Sequence, residues 1–272
     1  MNRFVLATIS AVLLLCAPGR SAGRTWYILP GGTGDAPSIQ AGIDSAATGD
    51  TVLVAPGEYT VSLQMKNGVT LISEAGPLRT RLRPAPPARE YIIYGTQLGQ
   101  HWTEITGFWF EGCTYNQTGA LHLATCKRVD IKNNVFTGNT VGVFVTGGSA
   151  YLFNNTFFAN QLFGFDAATV GSGLLVRNII WDRATGLGRV WALYNDFLIL
   201  GDAGPGNEEN FSLNPQFCGA GAGNVYLQSD SPCAPGNEPY GAEGLIGALP
   251  VQCGTTGPAR TTWGAIKALY LE

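Results

Sequence analysis

Ile131-Lys132-Asn133-Asn134-Val135-Phe136, Leu152-Phe153-Asn154-Asn155-Thr156-Phe157 and Leu175-Val176-Arg177-Asn178-Ile179-Ile180 are one pattern written three times. In each copy an aliphatic residue is followed three positions later by Asn and five positions later by Phe or Ile. Asn134, Asn155 and Asn178 stand 21 and then 23 residues apart, a fixed period that marks a solenoid. Fainter copies lie at Ile105, Phe108 and Phe110 before the three, and at Ala192, Asn195 and Phe197 after them. Each copy is too short for a pair of helices and is rich in the branched and aromatic residues that suit strands. About 22 residues make three short strands and three turns, one coil of a parallel β-helix.

A second series keeps the same register. Leu121-His122-Leu123, Val143-Phe144-Val145 and Phe165-Asp166-Ala167 recur at 22 and 22 residues. Strand alternation turns their flanking residues inward and leaves His122, Phe144 and Asp166 on the outside. In the first series Ile131, Leu152 and Leu175, and likewise Phe136, Phe157 and Ile180, form inward stacks that one coil cannot bury alone. The asparagines suit a sharp turn, because Asn tolerates left-handed backbone and bonds its own neighbours. Stacked coil upon coil, Asn134, Asn155, Asn178 and Asn195 form an amide ladder.

Composition agrees with this reading. Charged residues are 13% of the chain while Gly numbers 37 and Pro 15, which describes a dense succession of strands and turns. The formal net charge of −3 recommends neither nucleic acid nor an anionic membrane as partner. Residues 1–23 read as an export signal: Arg3, an apolar run from Phe4 to Cys16, then small residues at Ala17, Gly19, Ser21 and Gly23. The run is short for a membrane span, and Leu15 before Cys16 is too bulky for a lipoprotein site. No membrane span is expected once the signal is removed.

After a strand at Trp26-Tyr27-Ile28-Leu29 that stops at Pro30-Gly31, helix chemistry follows. Asp35 is a candidate N-cap, Pro37 falls in the first turn, and Ile39, Ile43 and Ala46 share one face. The words Ser38-Ile39-Gln40-Ala41, Gly49-Asp50-Thr51-Val52 and Pro56-Gly57-Glu58-Tyr59 resemble the N-terminal cap and first coils of secreted right-handed parallel β-helix proteins of the pectate-lyase-like superfamily. The resemblance covers roughly residues 25–250. It implies a capping amphipathic helix that seals the open first coil, a need that stands on its own physical ground. Asn214-Pro215-Gln216-Phe217, Tyr226-Leu227, Ser231-Pro232-Cys233 and Ile246-Gly247-Ala248 resemble that family's closing coil. The tail from Thr262 to Tyr270 resembles the stub that leads, in some bacterial relatives, into a surface-sorting module.

The expected architecture is therefore all-β, a single right-handed parallel β-helix with three sheets, roughly eight coils and an N-terminal amphipathic capping helix. Its domain occupies 24–253, with 254–272 a linker and tail. Pro84-Ala85-Pro86-Pro87 interrupts pairing, so residues 82–100 read as a bulging loop, and Gly201–Asn207 as another. With Cys16 leaving in the signal, five cysteines remain for disulfides in an exported protein: Cys113, Cys126, Cys218, Cys233 and Cys253. Cys113 and Cys126 flank one stretch of coil and can pair; one of the last three is left over.

The superfamily that the chain resembles contains lyases, glycosidases and esterases acting on acidic or neutral polysaccharides, so carboxylates on neighbouring rungs are the place to look. Glu104 precedes Ile105 as Asp130 precedes Ile131, which sets them on adjacent rungs about 4.8 Å apart, with Lys132 at the next outward position. Two carboxylates beside a lysine suit a polysaccharide lyase or glycoside hydrolase, with Ca²⁺ only in the lyase case. A solvated face with an ordinary ion pair is the competing account, and the next coil places Tyr151 where a third acid is wanted. No other cofactor and no metal site is indicated: His122 and Asp166 are two rungs apart, too far for a hydrogen bond. Outward rings at Trp109, Tyr151, Phe153, Trp181 and Trp191 suit stacking on sugars. The favoured expectation is a non-catalytic exported or surface protein that presents a rigid wall to a polysaccharide or a cell-surface component.

Overall fold

The computed structural model describes residues 23–86, 90–115, 119–167, 172–199, 209–241 and 244–253. Residues 1–22 of the expected export signal, the loop Gly201–Asn207, and the linker and tail at 254–272 lie outside the described residues. The chain is an all-β parallel solenoid of about nine turns with three sheets.

Each turn visits three walls in order. The first wall contains Thr25–Ile28, Thr51–Val54, Thr70–Ser73, Thr103–Thr106, Val129–Lys132, the end of Val141–Phe153, Ser172–Val176 and Trp191–Leu193. The second contains Gly57–Val61, Thr80–Pro84, Trp109–Glu111, Val135–Thr137, Thr156–Phe158, Ile179–Trp181 and Asp196–Phe197. The third contains Leu63–Gln64, Ile93–Thr96, Gly119–Cys126, the start of Val141–Phe153, Phe163–Asp166 and Ala184–Thr185. The described residues among 82–100 are thus more regular than expected, because Ile93–Thr96 is a full rung of the third wall. Pro84 is accommodated as the last residue of its strand, where its missing N–H costs little and pairing resumes with Ala85 N donating to Val61 O.

The interior is a set of stacks, one row per inward position. Ile105, Ile131, Leu152 and Leu175 are in register and fully buried. Phe110, Phe136 and Phe157 stack with centroids 4.6 and 4.8 Å apart and nearly parallel planes. The corner from third to first wall is turned within the strand Val141–Phe153, where Gly148 has φ +89°. A Cβ there would lie 1.8 Å from the Cys126 carbonyl oxygen, so only glycine fits.

The asparagine ladder occupies the corner between first and second walls. Nδ2 of Asn134, Asn155 and Asn178 donates to Oδ1 of the next ladder residue at 3.2, 3.0 and 2.9 Å, and Asn195 passes the chain on to Asn210. Each Oδ1 also accepts a backbone N–H from the coil before, so the ladder satisfies main chain as well as itself. The left-handed residue is one position earlier than expected: Asn133, Asn154, Arg177, Tyr194 and Glu209 carry the positive φ. The ladder residue needs a side-chain carbonyl and amide, while its predecessor needs only the strained backbone, so Arg and Tyr appear there. A second ladder, unforeseen, runs Asn139, Asn160 and Asp182 at the corner between second and third walls.

Helix Ile39–Ser45 seals the first coil with Ile39, Ile43 and Ala46 buried. Its N-cap is Ser38 rather than Asp35. Ser38 is extended and its side chain accepts from Ala41 N, whereas Asp35 accepts from Tyr27 N beside the first strand. Pro37 accordingly lies before the helix.

The C-terminal segment differs most from expectation. Among the described residues beyond Phe197, only Asn210 and Phe211 continue the coil, through a single bridge from Phe211 to Asp196 and the ladder bond of Asn210. Residues from Phe217 onward form a separate small sheet of Phe217–Gly219, Asn224–Gln228 and Val251–Cys253. This return segment lies across the outer face of the second wall and buries Phe217, Val225, Leu227, Ile246 and Ala248 against Trp109, Val135 and Ile179. Ala248 N donates to Thr156 Oγ1 and Gly247 N to Arg177 O. A disulfide joins Cys218 to Cys253 within it. Cys113, Cys126 and Cys233 are free and buried, so the suggested Cys113–Cys126 bridge does not form. Their thiols bond elsewhere, to Glu90 O, Gly95 O and Asp196 Oδ2. No helix among the described residues is long and apolar enough to cross a membrane.

Candidate functional site: the first wall

Outward positions of the first wall fall into rows that run along the solenoid axis. One row reads Glu104, Asp130, Tyr151, Leu174, Trp191; the next reads Thr106, Lys132, Phe153, Val176, Leu193. The parity deduced from the sequence holds for Glu104, Asp130, Lys132, Tyr151, Phe153 and Trp191, which all share this face.

The three charged residues meet. Lys132 Nζ lies 3.0 Å from Glu104 Oε2 and 2.9 Å from Asp130 Oδ2, with Asp130 nearly buried. Burial alone would pull the Lys132 ammonium down, but hydrogen bonds and charges of Asp130 and Glu104 outweigh it and raise the lysine above its ordinary value. A proton-abstracting lysine needs the opposite shift. The triad is a closed ion pair in which each carboxylate already has its cation.

Beside the triad the wall becomes aromatic and apolar. Trp102, two positions before Glu104 and just outside its strand, is 49% exposed; counting the outward parity back by two is the sequence signal that finds it. The Arg128 guanidinium sits 4.2 Å from its ring centroid and Lys132 Nζ 5.1 Å. Further along, Trp191 is 61% exposed, at the end of a patch completed by Tyr151, Phe153, Leu174, Val176 and Leu193. Ser149 and Ser172 bond each other at 2.8 Å along one edge. The four charges, Arg128, Lys132, Glu104 and Asp130, sum to zero.

Two expected sugar-stacking rings are not displayed. Trp109 points outward from the second wall but is 4% exposed, under the return segment and the Arg81 guanidinium, with Nε1 donating to Thr137 Oγ1. Trp181, also on the second wall, packs partly buried against the same segment.

The third wall carries the anticipated outward row of His122, Phe144 and Asp166, preceded by Tyr94. Its rings contact one another, Tyr91 to Tyr94 at 5.0 Å, Tyr94 to His122 at 5.2 Å and His122 to Phe144 at 4.9 Å. His122 Nε2 pairs with Thr146 Oγ1 at 3.0 Å, and burial holds its pKa below the usual histidine value despite the charge of Glu90. Among the described residues no group of three or more His, Cys, Asp or Glu is placed to hold a metal ion.

The chain matches no protein-family model, no curated protein and no solved structure.

Proposed function

We propose that this solenoid is an exported, non-catalytic carbohydrate-binding protein of pectate-lyase-like type, with the first wall as its binding face. Export and superfamily type rest on the signal-like N-terminus and on the resemblance of the cap and first coils. The observation that carries the binding reading is the set of outward rings on the first wall. Exposed Trp191 and Trp102 stand at either end of a stretch that includes Tyr151 and Phe153. Glu104 and Trp191 are four rungs apart, about 19 Å at the usual strand spacing, so an extended polymer lying along the axis spans the aromatic positions. Soluble proteins rarely leave such a contiguous apolar face without an occupant. Balanced charges on the wall favour a neutral polysaccharide over an acidic one.

The test is retention on a panel of neutral and acidic polysaccharides in affinity electrophoresis. Trp191→Ala and Trp102→Ala are expected to weaken retention on a neutral polymer about two- to tenfold per ring. Absence of retention on every polymer, or retention indifferent to both substitutions, refutes the reading. The lyase or hydrolase alternative draws on the adjacency of Glu104 and Asp130. Unsaturated or reducing-end products released from uronate-containing polymers, with or without Ca²⁺, and lost in Glu104→Gln, would replace the binding reading by that one.

A further inference from the structure

A different face carries a groove. A cavity of about 220 Å³ opens where the turn Ala222–Tyr226 of the return segment stands over Trp109 of the second wall, and one of about 300 Å³ adjoins it over Pro56, Glu58 and Arg79. Both are lined by Leu78 and Arg81, so they form one groove. Its size falls at the lower end of small-molecule sites.

The groove is built on arginine. Arg79, Arg81 and Arg83 come from a single stretch of chain, against Glu58 and Glu111 from the flanking rungs, a local excess of one positive charge in a chain whose net charge is −3. The glutamates are taken up mainly by Arg83, which bonds Glu111 at 2.8 Å and Glu58 at 3.0 Å. Arg81 gives Nη1 to Glu111 at 2.8 Å, and its other two nitrogens hold no hydrogen bond among the described residues. Its guanidinium rests 4.3 Å from the Trp109 ring centroid, and Trp109 is itself pinned by Thr137. Arg79, exposed on the same cavity, has no ion pair among the described residues.

We propose that this groove is a binding site for a carboxylate-bearing small molecule. A guanidinium presents paired donors in the planar geometry that a carboxylate accepts two at a time. Arg81 is held in place before the ligand arrives, which lowers the ordering cost of binding. Arg79 supplies the second fork from the same wall. The carboxylate can belong to a free acid or to an acidic unit of a polymer. The site is independent of the glycan wall, because the two occupy different sheets.

Isothermal titration calorimetry with glucuronate and with glucose isolates the carboxylate, since the two sugars differ there alone. Glucuronate is expected to bind saturably and glucose not at all. An oligoglucuronide that binds more tightly than the monomer assigns the carboxylate to a polymer, and equal affinity assigns it to a free acid. Arg79→Gln, an exposed change that leaves the fold intact, is expected to weaken glucuronate about tenfold. Arg81→Lys, which keeps charge but loses the fork, is expected to weaken it as well. Leu162→Ala, exposed at the corner between the second and third walls and outside both proposed sites, is expected to leave it unchanged. Lack of glucuronate binding, equal binding of glucose or of inorganic sulfate, or an Arg79→Gln variant with unchanged affinity overturns the proposal.

Discussion

Asp182→Asn tests whether the second ladder carries a misplaced charge. Asp182 accepts from Asn160 N at 3.3 Å and from Asn160 Nδ2 at 2.6 Å, as an asparagine in that position would. Burial is the dominant influence and pushes its carboxyl from 3.8 up to about 6, against hydrogen bonds from Asn160 and Ala159 that pull it down. The native state therefore holds a proton that the unfolded chain releases earlier. Stability from this group is fully present below about pH 3.8, falls as pH rises towards 6, and is flat above. A shift of about two units corresponds to ~3 kcal/mol lost by neutral pH. Asparagine cannot ionise. Its new amide has an acceptor ready by ladder repetition: Asn139 and Asn160 donate to Phe110 O and Phe136 O, and the next carbonyl in that row is Phe157's. Urea unfolding is to be followed at about pH 4 and about pH 8 for both proteins. Asp182→Asn is expected to be near neutral at the lower pH and stabilising by about 1–3 kcal/mol at the higher. Asp196, raised by burial to about 7, contributes a dependence of the same sign in both proteins, so it cancels in their difference. A variant destabilised at high pH, or a difference independent of pH, refutes the reasoning.

Three further outcomes follow from the coils. Asn155→Leu strips Asn134 N of its acceptor and Ile131 O of an amide donor, and is expected to cost on the order of 3 kcal/mol in thermal or urea melts without altering polysaccharide retention. Gly148→Ala drives a methyl group into the Cys126 carbonyl at a positive φ, and loss of at least about 2 kcal/mol is expected in the same assay. Burial raises the Cys113 thiol to about 11 and lifts Cys126 and Cys233 as well, so none of the three is expected to take up iodoacetamide at neutral pH until the chain is unfolded, as read by intact mass.

Much of the scaffold was legible because in a solenoid every coil touches only its neighbours. The 21- to 23-residue spacing of Asn134, Asn155 and Asn178 determines which residues stack, and hence the ladder and the apolar rows, while matching Ile105 to Ile131 one coil on gives the adjacency of Glu104 with Asp130. Alternation within a strand then fixes which side chains face out, so Trp191 and Tyr151 could be placed without coordinates. Tertiary structure decided what covers the walls. The return segment has no period, and nothing in its sequence says that it crosses the second wall. That packing hides Trp109 and Trp181, sets Cys233 against Asp196, brings Cys218 to Cys253 and opens the arginine groove. Local spacing encodes contacts between consecutive coils, whereas a contact such as Thr156 with Ala248, 92 residues apart, depends on surfaces that exist only once the coils have stacked.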